Sequence, residues 1–391
     1  MLAESRTARS PAERTLQTRE AGAGLPRVAL VHDYLSERGG AERVAISLTR
    51  AFPDAPLYTS VFDEPRYPEL ADHDIRTTVL NRSSLLRHHH RVALPLLSTV
   101  YGHLQPEGDV VICSSSGWAH GVRTDAPKIV YCHNPARWLY QRQEYGETKR
   151  RYAMAATVVA PYLRRWDRKA ASTAHRYLAN SSVVAERIRD LYGVWAEVLP
   201  PPTTLDVDGF RRPIPKIEPG FVLLVGRLLG YKHVGEVVEA FKLLTNQRLV
   251  VIGDGPQRHE LERDAPRNVS ILGRVDEAEL RWAYANCSAL VSASHEDFGL
   301  TPVEAGLYGK PSALLRAGGF LDTTVEGVNG LFFEKPEPWS IAEGVRRVLA
   351  ERWKPVEIAT TAARFSEAGF AERLREIVAE VLDDTQSIAV A

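Results

Sequence analysis

Apolar residues in this 391-residue chain gather in short runs that close on polar or glycine residues and are followed by stretches of helical spacing. Arg27 to Asp33 (RVALVHD) opens the pattern, with Gly39-Gly40 behind it and a helix-compatible segment from Glu42 to Phe52. Asp109 to Cys113, Lys128 to Cys132 and Arg176 to Ala179 repeat it. Runs this short, alternating with helical sequence, predict parallel strands covered on both faces. The alternation stops at Leu199 to Pro219, a proline-rich stretch with no sustained period, and restarts at Phe221 to Val225, Arg248 to Ile252, Val269 to Leu272, Ala289 to Ser292 and Pro311 to Leu315. Phe370 to Leu382 is amphipathic and predicts a terminal helix. The expected organisation is a tail over 1–25, a first domain over 26–202, a linker over 203–219 and a second domain over 220–391 that carries the terminal helix. The fold class is α/β: two Rossmann-like, doubly wound parallel-sheet domains whose strand-end edges face each other across an interdomain cleft.

Composition narrows the class. With 44% hydrophobic and 25% charged residues the chain reads as soluble and globular, and no run approaches the 18 or more apolar residues of a membrane span. Cys113, Cys132 and Cys287 are too scattered for a disulfide framework or a zinc site, so a reducing cytoplasm is expected. The first 25 residues lack an apolar core run and read as a disordered tail, not a secretory leader. A net charge of zero argues against a nucleic-acid partner, but the first half is basic and the second acidic, which points one domain at something anionic.

Candidate chemistry concentrates at predicted strand ends. In SHEDFGLTPVEAG, Thr301 suits an N-cap, Pro302 the first helical position and Glu304 the third, which together predict a capping box. Glu296 has no such task, and it stands where α/β proteins bind ligands. Gly39-Gly40 precedes a helix whose free amides favour phosphate. In GRLLGYK, Arg227 and Lys232 can grip a diphosphate as a fork and a point charge. Gly253-Asp254-Gly255 has Arg258 where a dinucleotide fingerprint needs its third glycine, and there is no GxxxxGK[ST], so nicotinamide and P-loop readings are disfavoured. His133 follows a strand and points toward the expected cleft. The basic run RHHHR around His88-His89-His90 reads as solvated surface, and Asp206-Val207-Asp208 is a DxD placed in the linker, so neither predicts a metal site.

Together these residues resemble the retaining glycosyltransferases of family four, with the GT-B fold. The second half carries the specific part: GRLLGYK, VVIGDGP, ILGRV, EDFGLTPVEA with its two glutamates, and AGGFLDTTVEGVNGLFF. VALVHDYLSERGGAERV and YCHNPARW in the first half are similar to a bacterial mannosyltransferase branch. The resemblance implies that Arg227 and Lys232 bind the donor diphosphate, with backbone amides of Gly39 and Gly40 and of Phe298, Gly299 and Leu300. It implies that Glu304 takes the ribose hydroxyls, that Val275 lies by the base, and that His133 and Glu296 hold the transferring sugar. No cofactor or metal is implied beyond the nucleotide-sugar donor, GDP-mannose being favoured over a UDP-sugar. Asp322 stands where the common pattern has glutamate, and Arg-Trp-Leu-Tyr-Gln after His133 departs from many mannosyltransferases. The expected partners are that donor and a glycan or lipid-linked acceptor in cell-surface polysaccharide or glycolipid synthesis. The basic, apolar-interleaved runs Arg82 to Leu97 and Lys149 to Lys169 suggest peripheral contact with anionic lipid at the inner face of the membrane. Rival readings are a sugar-nucleotide epimerase or phosphorylase on the same scaffold, or a catalytically silent partner in a membrane glycan-assembly complex.

Overall fold

The computed structural model describes residues 26–88, 94–141 and 150–390. The predicted tail, most of the histidine run and the start of the second basic run lie outside the described residues. Two parallel sheets organise the rest. The first holds β1 (Val28–His32), β2 (Leu57–Thr59), β3 (Ile75–Thr77), β4 (Val110–Ser115), β5 (Lys128–Cys132), β6 (Arg176–Ala179) and β7 (Glu197–Val198), in the order β3-β2-β1-β4-β5-β6-β7. The second holds β8 (Val222–Val225), β9 (Leu249–Ile252), β10 (Val269–Gly273), β11 (Ala289–Ser292), β12 (Ser312–Leu315) and β13 (Gly330–Phe333), in the order β10-β9-β8-β11-β12-β13. These are two doubly wound α/β domains. In each, the order reverses beside the first strand, between β1 and β4 and between β8 and β11, and such a switch point opens a crevice at the carboxyl ends. The central strands are apolar throughout because helices cover both faces: β1, β5 and β9 are buried at every position.

The terminal helix corrects the expected boundary. Read in sequence as part of the second domain, Glu367–Val390 instead seats Phe370, Leu374, Ile377, Val378, Val381 and Leu382 in one core with Val28, Leu30, Val44 and Leu48 of the first. Its amphipathic stripe finds its apolar partner there. A hydrogen bond and two ion pairs pin it to the same domain: Glu367 accepts from the Ser47 hydroxyl at 2.6 Å and from Arg50 at 3.0 Å, and Arg373 pairs with Glu197 at 2.8 Å. The chain thus crosses between domains twice, through the proline-rich stretch and again just before this helix.

Candidate active site

Four loops at the carboxyl edges converge. Behind β1, Gly39 caps the helix α1 (Gly40–Ala51) in an extended conformation. Behind β5, His133 and Asn134 are buried, and Asn180 holds the His133 carbonyl with a 2.9 Å hydrogen bond. From β8, Arg227 leads into a short turn over Gly230–Lys232. From β11, the segment Ser292–Leu300 carries Glu296 into a helix.

Glu296 is the centre of the second domain's edge. Its Oε1 accepts from Lys232 Nζ and, at 2.7 Å, from the Ser294 hydroxyl. Burial alone would raise this carboxyl, but Lys232, Ser294 and Arg137 outweigh it and hold it below its ordinary value. Lys232 is therefore committed to a carboxylate, whereas Arg227 is 58% exposed and reaches only within 4.0 Å of Glu37. Val275 is half-buried against the cluster around Trp282 and Tyr284.

The capping box does not form. The helix α2 (Leu300–Leu307) starts one residue before Thr301, and its cap is Gly299 at φ +87° with no side-chain hydrogen bond. Phe298, Gly299 and Leu300 so place their backbone at the helix start, while the Phe298 ring packs edge-on against Phe365 at 5.5 Å. Glu304 turns inward instead of capping. It is 4% exposed, Tyr284 donates its hydroxyl to Oε2 at 2.6 Å, and Arg43 of α1 donates to Oε1 at 2.9 Å. Gly299 has no side chain to accept from the first-turn amides, so those N–H groups have no side-chain cap, and the Glu304 carboxylate goes to Tyr284 and Arg43 instead.

Sequence reasoning missed the residues that join the domains. Asp297, between the glutamate and the aromatic of its motif, accepts from three groups of the first domain. These are Asn134 Nδ2 at 3.0 Å, Arg187 at 2.6 Å and Arg137. Asp322, the shorter acid of its loop, accepts the backbone N–H of Ser182 at 2.9 Å, at the start of the helix over Ser182–Tyr192. Glu304, Asp297 and Asp322 thus all receive donors from the opposite domain. The signal available was the charge asymmetry of the halves, which did not say where the charges meet. His133 and Glu296 are each one residue from the Asn134–Asp297 contact, which brings the two candidate sugar ligands to the same part of the cleft. Among the described residues no group of histidine, cysteine and acidic side chains is arranged to hold a metal. Asp206 instead accepts the Asp208 amide at 3.1 Å within the linker turn.

Glu42 lies beneath the Gly39-Gly40 loop. A side-chain carbon on Gly39 would come within 2.7 Å of its Oε2. Burial, with Glu37 and Asp33 nearby, pushes its carboxyl from 4.5 up to about 7, against hydrogen bonds from backbone amides. The folded chain then keeps a proton that the unfolded chain has released. The contribution of Glu42 to stability is full below the unfolded value and is lost as pH rises from 4.5 to about 7. Glu42→Gln is expected to flatten the melting temperature against pH over that window and to raise it relative to the parent at pH 8. Parallel profiles in the two proteins would show that Glu42 is ionised throughout.

Comparison with known proteins places names on this architecture. Residues 38–207 match the model of Glycosyltransferase Family 4, and residues 209–370 match that of Glycosyl transferases group 1. Both halves are glycosyltransferase domains. The group 1 domain holds the Lys232–Glu296 pair and Glu304, and the family 4 domain holds His133 and Arg43. The chain is 32% identical over 174 residues to a glycogen synthase of Thermus thermophilus, which covers 42% of this chain and 40% of the relative. It is 28% identical over 253 residues to a GDP-mannose-dependent alpha-mannosyltransferase of Corynebacterium glutamicum, covering 62% of this chain and 59% of the relative. The chain thus spans less than two thirds of the length of these curated relatives. Anabaena Alr3699/HepE, solved in complex with UDP, superposes with a TM-score of 0.67 at 18% identity over 90% of this chain and all of that one, so the fold is GT-B.

Proposed function

We propose that the protein is a retaining, metal-independent glycosyltransferase that moves mannose from GDP-mannose to a glycan or lipid-linked acceptor. The observation that carries this reading is the Lys232–Glu296 pair in the cleft, facing the domain that bears His133. Lys232, Arg227 and the amides at the start of α2 supply positive potential where a nucleoside diphosphate departs, the point at which negative charge develops. Glu304 spends one acceptor site on Tyr284 and one on Arg43. A carboxylate has about four such sites, so two remain for ribose hydroxyls. Arg43 then couples nucleotide binding to closure, because it belongs to the opposite domain. Mannose is favoured by the likeness to the Corynebacterium protein and by the motifs YCHNP and GGAERV. A glucosyl donor is the reading favoured by the glycogen synthase.

Contact with anionic lipid at the inner membrane face is part of the proposal. Leu85, Leu96 and Tyr162 are exposed on the first domain, near Arg82, Arg87 and Arg165 in sequence. No helix among the described residues is long and apolar enough to cross a membrane.

A panel of nucleotide sugars scored by thermal unfolding tests the donor. A ligand at a hundred times its Kd adds about 2.7 kcal/mol to the stability of the state that binds it, a shift of several degrees. GDP-mannose is expected to give the largest shift, and transfer from it to persist in excess chelator. A UDP-sugar shifting the melt where GDP-mannose does not would overturn the choice of donor. Activity lost to the chelator and restored by manganese would overturn metal independence.

A further inference from the structure

Two buried histidines share one serine. His32 Nδ1 lies 3.0 Å from Ser114 Oγ, and the same oxygen lies 2.7 Å from His133 Nε2. The sheet register sets this up, since β1 pairs His32 with Ser114, and β4 pairs Ser115 with Cys132, the residue before His133. All three side chains are buried. Both rings are neutral in the working range: burial lowers His32 to about 4, and burial with His32 nearby lowers His133 to about 3.

A hydroxyl carries a single proton, so Ser114 can donate to only one of two neutral imidazoles and must accept from the other. The tautomers of the two histidines are therefore linked. His32 Nε2 decides which way. It is buried without a hydrogen-bond partner, although the carbonyls of Ser114 and Tyr34 lie near the ring. A proton on Nδ1 meets Ser114 Oγ at 3.0 Å, whereas one on Nε2 would be buried with no hydrogen-bond partner, so Nδ1 carries the proton and Nε2 is bare. His32 then donates to Ser114, Ser114 donates to His133 Nε2, and the proton of His133 is confined to Nδ1. With Nε2 occupied, Nδ1 is the nitrogen left to meet a ligand.

We propose that His32 and Ser114 are positioning residues that hold His133 as its Nδ1–H tautomer, so that it enters the cleft as a hydrogen-bond donor to a hydroxyl oxygen of the transferring sugar. This rests on the reading of His133 as a sugar ligand. It adds that the group recognised must accept, and that the recognition is set from inside the first sheet.

The test reads tautomers and rates separately. In the full-length protein labelled with ¹⁵N-histidine, His133, identified by its loss in His133→Gln, is expected to show a protonated Nδ1. In Ser114→Ala it is expected to populate the Nε2–H form. Ser114→Ala and His32→Leu should each lower kcat about tenfold, the worth of one buried hydrogen bond. His32→Asn, whose amide nitrogen replaces the Nδ1–H donor, should recover most of that loss. A protonated Nε2 on His133 in the parent, or an unchanged tautomer in Ser114→Ala, overturns the proposal. So does equal impairment in His32→Asn and His32→Leu, which is what a packing role alone would give. If the parent transfers no sugar from any donor while the tautomers behave as stated, the relay stands and the transferase reading falls.

Discussion

Glu296→Ala is expected to lower the rate of sugar transfer by at least about a hundredfold, with the melting temperature falling less than that loss suggests. The reason lies in what the variant leaves behind. Lys232 is 16% exposed and Glu296 23%, so each ion gave up much of its hydration for the other. Removing one partner of a buried pair costs about 3–5 kcal/mol when the survivor cannot be rehydrated, and the residual exposure here places the structural cost below that range. On the proposed reading nothing offsets the loss in the reaction, because the Lys232 ammonium would no longer be held at the diphosphate and the sugar would lose an anionic neighbour. A hundredfold in rate corresponds to about 2.7 kcal/mol of transition-state stabilisation. Lys232→Ala is expected to damage donor affinity more than Glu296→Ala does, since it removes the cation itself. Single-turnover rates and donor titrations on both variants separate the two effects. Wild-type turnover in Glu296→Ala would place the chemistry elsewhere.

Gly319→Ala is expected to remove transfer altogether and to destabilise the protein by on the order of 3 kcal/mol. A carbon added at Gly319 would lie 2.2 Å from Phe298 Cα and 2.4 Å from the Asp297 carbonyl oxygen. Both are backbone atoms, so no rotamer change relieves the clash. The Gly318-Gly319 loop lies directly on the segment that carries Glu296, and the Gly319 N–H donates to the Glu296 carbonyl at 2.9 Å. Forcing the loops apart breaks that bond and shifts Glu296 away from Lys232. Gly102→Ala, where nothing lies within 4 Å of the added carbon, is the control. It sits in the helix over Leu94–His103 and should leave transfer unchanged, with melting unchanged or slightly raised because alanine suits a helix better than glycine. A Gly319→Ala protein with normal melting and activity would show that the two loops are not in contact in solution.

The interdomain contacts give the charge asymmetry of the chain a second meaning. A basic first half and an acidic second half suggested a site for an anion. Part of that charge is spent between the domains: Arg137 and Arg187 meet Asp297, and Arg43 meets Glu304. These contacts were not legible because the partners are far apart in sequence, Arg43 and Glu304 by 261 positions. Local pattern misplaced Glu304 for a related reason. Thr-Pro-Val-Glu satisfies every local rule for a capping box, but the cap falls at Gly299, two residues before Thr301, and Tyr284 and Arg43 offer the carboxylate better partners.

By itself the amino-acid sequence determined that there are two parallel α/β sheets, since continuous apolar runs such as VALVH and KIVYC suit only strands buried on both faces. It also located the strand-end loops, because glycine pairs and charged residues after such runs have little other use. The strands β2, β3 and β7 escaped it, for two or three residues carry too little period to be told from a loop, and β13 escaped because it opens on Gly330, which reads as a turn. Only the tertiary structure decided which domain owns the last helix, because an apolar stripe specifies that it must be covered and not by what. Only the tertiary structure paired Lys232 with Glu296 and threaded Ser114 between two histidines. Such pairings depend on the register of strands and the approach of two domains, and the strength of a charge or hydrogen bond depends on the burial that folding alone creates.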